Sequence, residues 1–235
     1  MKRLLAAAAC AASLVAAPAF AASFATFTQV GGNDTVSFVN NGDGTGTLSS
    51  IGSGTFDFAY LSPFTSGLPA ELTGNQQANF SLTATASGAA GMSGPIVEQG
   101  MSGGTISFTR TTPYNGLDNL LTIEFTDGFL WGPEGASGLN LIGSSATGGV
   151  TFTSDFLDFS GATQRDFNFS LQGMSAPVGT GDAGVLNSFT ADTSGLASAN
   201  VSGAIPEPAS WALMIIGFGG MGATLRMRRR MPAAA

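Results

Sequence analysis

Apolar and polar residues alternate along many short stretches of the chain between residues 22 and 204. A spacing of two places the apolar side chains on one face of a β-strand and the polar ones on the other, so each stretch is typical of a half-buried strand. The polar positions are mostly Thr, Ser and Asn. The apolar sets are Val36/Phe38, Phe56/Phe58/Tyr60, Phe80/Leu82/Ala84/Ala86, Ile106/Phe108, Leu121/Ile123/Phe125, Val150/Phe152 and Phe167/Phe169/Leu171.

Glycine-containing turns separate these strands, as at Asn41-Gly42-Asp43-Gly44 and at Asp127-Gly128. Such turns favour hairpins, and no run with helical spacing lies between them. The pattern therefore predicts an all-β fold, an antiparallel and jelly-roll-like β-sandwich of about eight to eleven strands. Stretches rich in Gly, Ser and Pro are predicted to be loops. They cover residues 61–78, 88–103, 132–137 and 176–184.

The first 21 residues have the pattern of a secretory signal peptide. Lys2 and Arg3 precede an apolar run over residues 4–17, and Ala19 and Ala21 form an A-x-A cleavage site. We therefore expect an N-terminal signal helix that is removed on export. Cys10, the single cysteine, lies inside this segment, so the predicted mature chain has neither a thiol nor a disulfide.

A second apolar segment, residues 209–225, carries no charge and precedes an arginine cluster formed by Arg226, Arg228, Arg229 and Arg230. Its seventeen residues would reach roughly 25 Å as a helix, near the short limit for crossing a bilayer. The arginines favour a cytoplasmic C-terminal end. The predicted order is therefore a signal peptide (1–21), an extracytoplasmic β-domain (22–204) and a C-terminal segment (205–230) with a single transmembrane helix.

A specific pattern begins just before this apolar segment. Pro206 and Pro208 flank Glu207, remove two backbone N–H donors and hold the chain extended. Further residues of the pattern are Trp211, Ala212, Met214, Ile215, Gly217, Phe218 and Gly219. With the arginine cluster behind it, this pattern resembles the PEP-CTERM sorting signal in its PEPxxWA form.

The resemblance implies that an exosortase, a membrane-embedded peptidase of Gram-negative bacteria, processes the chain. The implied recognition residues are Pro206, Glu207, Pro208, Trp211 and Ala212, while Gly217, Phe218, Gly219 and the arginine cluster belong to the implied inner-membrane anchor. It also implies a membrane-anchored precursor with its body in the periplasm, and a mature form at the cell surface or outside the cell, in an exopolysaccharide or biofilm setting. A permanent single-pass anchor that no enzyme cleaves is the alternative.

The charge of the β-domain excludes one class of partner. Between residues 24 and 205 the chain carries fourteen Asp and Glu residues against two basic residues, Arg110 and Arg165. Such a surface repels phosphate, so nucleic acid is not an expected partner. The chain has no His, which removes the commonest general base and the commonest metal ligand. A carboxylate enzyme needs no His, but no convergent carboxylate pair stands out, so the domain is predicted to be non-catalytic.

Three carboxylates near Trp131 suggest a glycosidase as an alternative. Glu124, Asp127 and Glu134 lie close to it in sequence, and a glycosidase needs two carboxylates flanking a sugar. Glu124, however, alternates onto the polar face of its strand, and Asp127-Gly128 is a turn. Solvated strand and turn charges are the simpler interpretation.

The chain is predicted to bind no cofactor and no metal, and calcium binding is the alternative. Residues 40–44, with the sequence Asn-Asn-Gly-Asp-Gly, and the pair Asp155 and Asp158 offer oxygen ligands. The first segment lacks a terminal bidentate Glu and more simply forms a tight hairpin turn.

Trp131 and Tyr114 are the candidate sugar contacts. With Tyr60 they are the aromatic residues other than Phe in residues 22–204, and an exposed aromatic ring on a β-sandwich suits carbohydrate binding by analogy of fold. Alternatively, Trp131 and its neighbours Phe129 and Leu130 cap the core. The predicted function is a non-catalytic surface or matrix protein, and a carbohydrate-binding or carbohydrate-active module is the alternative.

Overall fold

The structure, a computed structural model, describes residues 21–52, 54–146 and 149–201. The predicted signal peptide up to residue 20 and the predicted C-terminal segment 205–230 lie outside these residues. Thirteen strands are present in the described part of the chain. They are β1 (Ala22–Val30), β2 (Val36–Asn40), β3 (Thr45–Ser50), β4 (Thr55–Tyr60), β5 (Asn75–Ser87), β6 (Gly91–Ser93), β7 (Ile96–Tyr114), β8 (Leu117–Phe125), β9 (Gly128–Pro133), β10 (Leu139–Ser144), β11 (Thr151–Thr153), β12 (Ala162–Gln172) and β13 (Phe189–Val201).

All strand pairs among the described residues are antiparallel, which confirms the all-β antiparallel class. The predicted sandwich has two separate sheets, whereas these strands form one hydrogen-bonded sheet. Its pairings close a circuit, from β13 through β2, β3, β5, β7, β9, β10 and β12 back to β13. The strand number also exceeds the predicted range.

Long strands that change partners explain why the sheet closes. β13 pairs with β2 through residues 189–191 and with β1 through residues 194–199. β5 does the same, with β4 through residues 75–79 and with β3 through residues 83–87. The pairs β1–β4 and β2–β3 therefore bridge the same two long strands side by side, a connection that local alternation does not reveal.

Phenylalanine rings fill the interior, as the alternation predicts. Buried and exposed residues alternate without a break along all thirteen residues of β5. The ring of Phe108 on β7 lies at the centre of the core, with ring centroids 4.5 Å from Phe27, 5.4 Å from Phe80 and 5.5 Å from Phe58. Aromatic pairs at such distances add about 0.5–1.5 kcal/mol each beyond the area they bury.

Three of the predicted loops are partly strands. Residues 88–103 include β6 and the first part of β7, β5 already begins at Asn75 within residues 61–78, and β9 ends at Pro133 within residues 132–137. Just after the predicted loop, neighbouring backbone leaves no room for a side chain at Gly104, where a Cβ would lie 2.7 Å from the carbonyl oxygen of Thr83. Residues 61–74 lack strands and contain two short 3₁₀ helices, Phe64–Gly67 and Ala70–Leu72. The predicted loop 176–184 contains another 3₁₀ helix, Asp182–Gly184.

Contacts divide the chain after Val201 into a unit that contains every strand described above and a second unit of residues 202–235. Among the described residues, no helix is both long enough and apolar enough to cross a membrane.

Candidate functional site

An apolar strip lies on the outer face of the sheet, across β9, β10, β12 and β13. On β9, Leu130 is buried in the core, so its neighbours Phe129 and Trp131 point to the opposite face, where both are partly exposed. Ile142 of β10 is also partly exposed, and Leu196 of β13 is 39% exposed. We call Phe129, Trp131, Ile142 and Leu196 the outer strip.

Strand register brings these residues side by side. Ile142 pairs with Phe129 on one neighbouring strand and with Asn168 of β12 on the other. Asn168 in turn pairs with Leu196. Trp131 lies two residues along β9 from Phe129 and pairs with Glu98 of β7. The result is an aliphatic and aromatic surface. The Asn168 amide lies in the same row as Ile142 and Leu196, and the Glu98 carboxylate lies at one end.

Two partly enclosed depressions follow the outer strip. The first, of about 250 Å³, is lined by Phe129, Ile142, Asn168 and Leu196, and also by Asp166. The second, of about 170 Å³, is lined by Glu98, Phe129, Trp131 and Ile142. They share Phe129 and Ile142, so together they form one continuous track along the sheet.

Trp131 presents carbon atoms to solvent. Its indole Nε1 is buried and has no hydrogen-bond partner among the described residues. The partly exposed part of the ring is therefore apolar, which suits stacking against another apolar face rather than hydrogen bonding. Of the three residues predicted as an alternative core cap, only Leu130 belongs to the core.

Tyr114, the second candidate sugar contact, lies far from Trp131. Glu98, which pairs with Trp131, and Tyr114 are sixteen residues apart on β7. Tyr114 pairs with Leu117 at the β7–β8 hairpin turn. The structure therefore does not bring the two candidates into one site.

Tyr60, the remaining aromatic of this group, is a core residue. Its side chain is 4% exposed, and its hydroxyl donates to the Leu120 carbonyl oxygen at 2.6 Å and lies 3.1 Å from Ser154 Oγ. Burial raises the pKa of Tyr60 well above its usual value.

The three carboxylates of the glycosidase alternative do not converge. Asp127 precedes β9 and Glu134 follows it, so the length of that extended strand, roughly 20 Å, separates them. Glu124 lies on β8, opposite Thr105 and Thr151. Glycosidase carboxyl groups lie about 5–10 Å apart, so Asp127 and Glu134 cannot flank one bond.

Residues 40–44 form the predicted hairpin turn between β2 and β3. Asn40 Nδ2 donates to the carbonyl oxygens of Asp182, Val185 and Leu186. Asp43 Oδ1 accepts from the backbone N–H and the hydroxyl of Thr45, and these hydrogen bonds hold the pKa of Asp43 below its usual value. Asn40 Oδ1 accepts from the Gly42 N–H, so Asn40 Oδ1 and Asp43 Oδ1, two of the oxygens proposed for calcium, already serve the turn.

Asp155 and Asp158 also serve local backbone. Asp155 Oδ2 accepts from the N–H groups of Asp118 and Asn119, and Asp158 accepts from the N–H and the hydroxyl of Ser160. The Ser160 hydrogen bonds lower the pKa of Asp158. No cluster of three or more His, Cys, Asp or Glu residues suited to a metal occurs among the described residues.

Comparison with known proteins identifies the C-terminal segment. The model of one family, the PEP-CTERM protein-sorting motif, matches residues 204–230. The chain carries a PEP-CTERM sorting motif. Neither a curated protein nor a solved structure matches the chain.

The sorting motif covers every recognition and anchor residue predicted from the sequence, from Pro206 to Arg230. Such motifs are recognised by exosortase, a membrane protein, and mark an exported precursor. The sorting motif lies outside the described residues, so its predicted roles for individual residues stay predictions.

Sequence reasoning missed two members of the outer strip, Ile142 and Leu196. Both were detectable as apolar residues at polar positions of their strands, since Leu196 lies between Ser194 and Ser198, whose parity faces outward. The signal is weak because single exposed apolar residues are common on protein surfaces. Only the register shows that they form one surface.

Proposed function

We propose that this protein is an exported, non-catalytic component of the cell surface or extracellular matrix, delivered and processed through its PEP-CTERM sorting motif. The observation that carries the proposal is the family match over residues 204–230. The setting that we propose is the exopolysaccharide or biofilm matrix of a Gram-negative bacterium, with the β-domain in the periplasm before release or display.

The order of the three parts of the sorting motif supports export followed by cleavage. Pro206-Glu207-Pro208 holds an extended strip ahead of the apolar segment, and a peptidase binds its substrate most readily as an extended chain. The uncharged segment and the arginine cluster behind it are suited to hold that strip beside the membrane. The proposed role of these residues is thus that of a substrate for another enzyme.

Intact-mass measurement of the protein recovered from the cell surface tests this proposal. We expect a mature species without residues 226–230, and we expect the Pro206→Ala/Pro208→Ala variant to accumulate as uncleaved precursor. A matched control is Pro113→Ala, which changes an exposed proline of the β-domain. Retention of the arginines in surface-exposed wild-type protein would show a permanent anchor instead.

The outer strip favours a second candidate function, carbohydrate binding. Trp131 and Phe129 present apolar surface next to Glu98, Asn168 and Ile142, and sugars have both apolar ring faces and hydroxyl groups. A glycan array with the wild-type chain and the Trp131→Ala variant tests this candidate. Binding that disappears in the variant supports it, whereas binding that persists places any glycan site elsewhere.

A further inference from the structure

We infer that the outer strip binds an extended glycan chain that lies across the strands and carries no acidic groups. This inference rests on the carbohydrate-binding candidate and adds the length and the charge class of the ligand.

The length follows from strand register. Trp131 lies on β9 and Leu196 on β13, with β10 and β12 between them. Three steps of about 4.8 Å between neighbouring strands give roughly 14 Å across the sheet. A single sugar ring is much shorter than this, so one sugar contacts only one end of the outer strip, while several consecutive sugars reach both ends.

The shape of the surface supports a chain rather than a small molecule. Small-molecule pockets typically have volumes of about 300–1,000 Å³ and enclose most of the ligand. The depressions on the outer strip, of about 250 and 170 Å³, are both smaller than this and only partly enclosed. Because they share Phe129 and Ile142, a ligand in one can continue directly into the other.

The charge class follows from the residues beside the track. Glu98 lines one depression and Asp166 the other, and no basic side chain lines either of them among the described residues. Arg110 lies on β7 opposite Ala78 of β5, and the Arg165 guanidinium donates to the Phe159 carbonyl oxygen. With a net charge of −7 on the whole chain, an acidic polymer meets repulsion and no compensating cation.

The chemistry of the track matches the two kinds of surface on a neutral sugar. C–H groups of a sugar ring carry slight positive charge and pack on the electron-rich face of an aromatic ring. Phe129 and the exposed carbons of Trp131 offer such surface. Asn168, between Ile142 and Leu196 in the same row, supplies an amide donor and acceptor for hydroxyl groups.

The test compares ligand length and charge on the purified full-length chain in mild detergent. The probes are a neutral β-linked hexaglucoside, the matching disaccharide, a chitosan hexamer and a hexagalacturonate, measured by calorimetry. The variants are Trp131→Ala at one end of the track and Leu196→Ala at the other. Leu117→Ala is the matched control, since Leu117 is 44% exposed and Leu196 39%, and Leu117 lies at the β7–β8 turn away from the track.

The inference expects the neutral hexamer or the amino-sugar hexamer to bind and the uronate hexamer not to bind. Trp131→Ala weakens hexamer binding about tenfold or more, as loss of an aromatic hot-spot residue does. Leu196→Ala weakens binding of the hexamer but not of the disaccharide, and Leu117→Ala changes neither.

Other outcomes test the extended, non-acidic ligand separately from carbohydrate binding itself. Equal binding of uronate and neutral hexamers overturns the charge class. A hexamer that responds to Trp131→Ala but not to Leu196→Ala overturns the extended track and leaves carbohydrate binding standing. No binding to any of the four probes, or binding that Trp131→Ala leaves unchanged, overturns both the track and the carbohydrate candidate, while the sorting function is unaffected.

Discussion

Phe27 of β1 and Phe169 of β12 lie with their ring centroids 4.4 Å apart, on the two strands that flank Gly195 of β13. Both phenylalanines pair with this glycine. Because Gly195 has no side chain, rings from strands on either side of β13 meet directly. The packing of these two rings in the closed sheet therefore requires a residue without a Cβ at position 195.

The Gly195→Ala variant tests this dependence. An added Cβ would overlap the Asn168 carbonyl oxygen and the Phe27 ring, and the backbone oxygen cannot move without breaking the β12–β13 ladder. We expect a loss of about 1–3 kcal/mol in the free energy of unfolding, as is usual for overpacking. Urea unfolding monitored by circular dichroism measures it. Gly100→Ala is the control, since Gly100 is also a strand residue and has no atom within 4 Å of an added Cβ; an equal loss there contradicts the steric explanation.

Gln29 completes the sheet where β13 changes partners. Its Oε1 accepts from the Thr193 N–H at 3.1 Å and from the Thr35 hydroxyl at 2.7 Å, and its Nε2 donates to Asp192 Oδ1 at 2.9 Å. Pairing with β2 ends at Ala191, and pairing with β1 begins at Ser194. Thr193 pairs with Leu171 of β12 on one side, and the Gln29 side chain replaces the backbone partner that it lacks on the side of β1 and β2.

Replacing Gln29 by Met keeps the length of the side chain but leaves the Thr193 N–H without its acceptor. We expect a loss of about 1–3 kcal/mol in the free energy of unfolding, because an unsatisfied buried donor keeps its full desolvation cost. Gln172→Met, at an exposed glutamine, should stay within about 0.5 kcal/mol of wild type. Hydrogen exchange provides a second readout: faster exchange of the Thr193 amide alone would locate the effect, and unchanged exchange would contradict it.

The burial of Tyr60 predicts that the protein loses stability at alkaline pH. Burial raises the pKa of Tyr60 in the folded state above its usual value of 10.0. Above pH about 10 the unfolded chain releases this proton while the folded chain keeps it, so the free energy of unfolding falls as pH rises. At neutral pH, Tyr60→Phe should cost about 1 kcal/mol, since the Leu120 carbonyl loses its donor.

The difference between wild type and Tyr60→Phe should shrink above pH about 10, because only the wild type has a buried phenol to ionise. Denaturant unfolding at a series of pH values between 7 and 11 measures this. Tyr114→Phe is the control, since it leaves the Tyr60 hydroxyl in place. Parallel pH profiles for wild type and Tyr60→Phe would contradict the assignment.

Calcium removal is expected to leave the melting temperature unchanged. Asn40 already holds the loop around residues 182–186, and Asp43 already holds Thr45. Differential scanning calorimetry with calcium and with a chelator compares the two states. A higher melting temperature with calcium that disappears in Asp43→Ala would instead establish a site at the β2–β3 turn.

The sequence by itself determined the local features of this protein. Alternation set which residues of β5, β7 and β12 face inward, because a strand turns successive side chains to opposite faces whatever its neighbours are. Asn41-Gly42-Asp43-Gly44 also determined its own turn, because turn formation depends on these consecutive residues. Pro206 to Arg230 could be recognised without any fold, since the chemistry of a sorting motif lies in consecutive residues.

Only the tertiary structure decided what depends on register between distant strands. It made β6 and the start of β7 strands although their composition predicts a loop, because β6 pairs with β7 and the start of β7 pairs with β9. It joined the strands into one closed sheet through the partner changes of β5 and β13. It also separated Trp131 from Tyr114 and placed Trp131 with Ile142 and Leu196 instead. Each of those residues is an ordinary surface residue in sequence, and hydrogen bonding between non-consecutive strands makes them one surface.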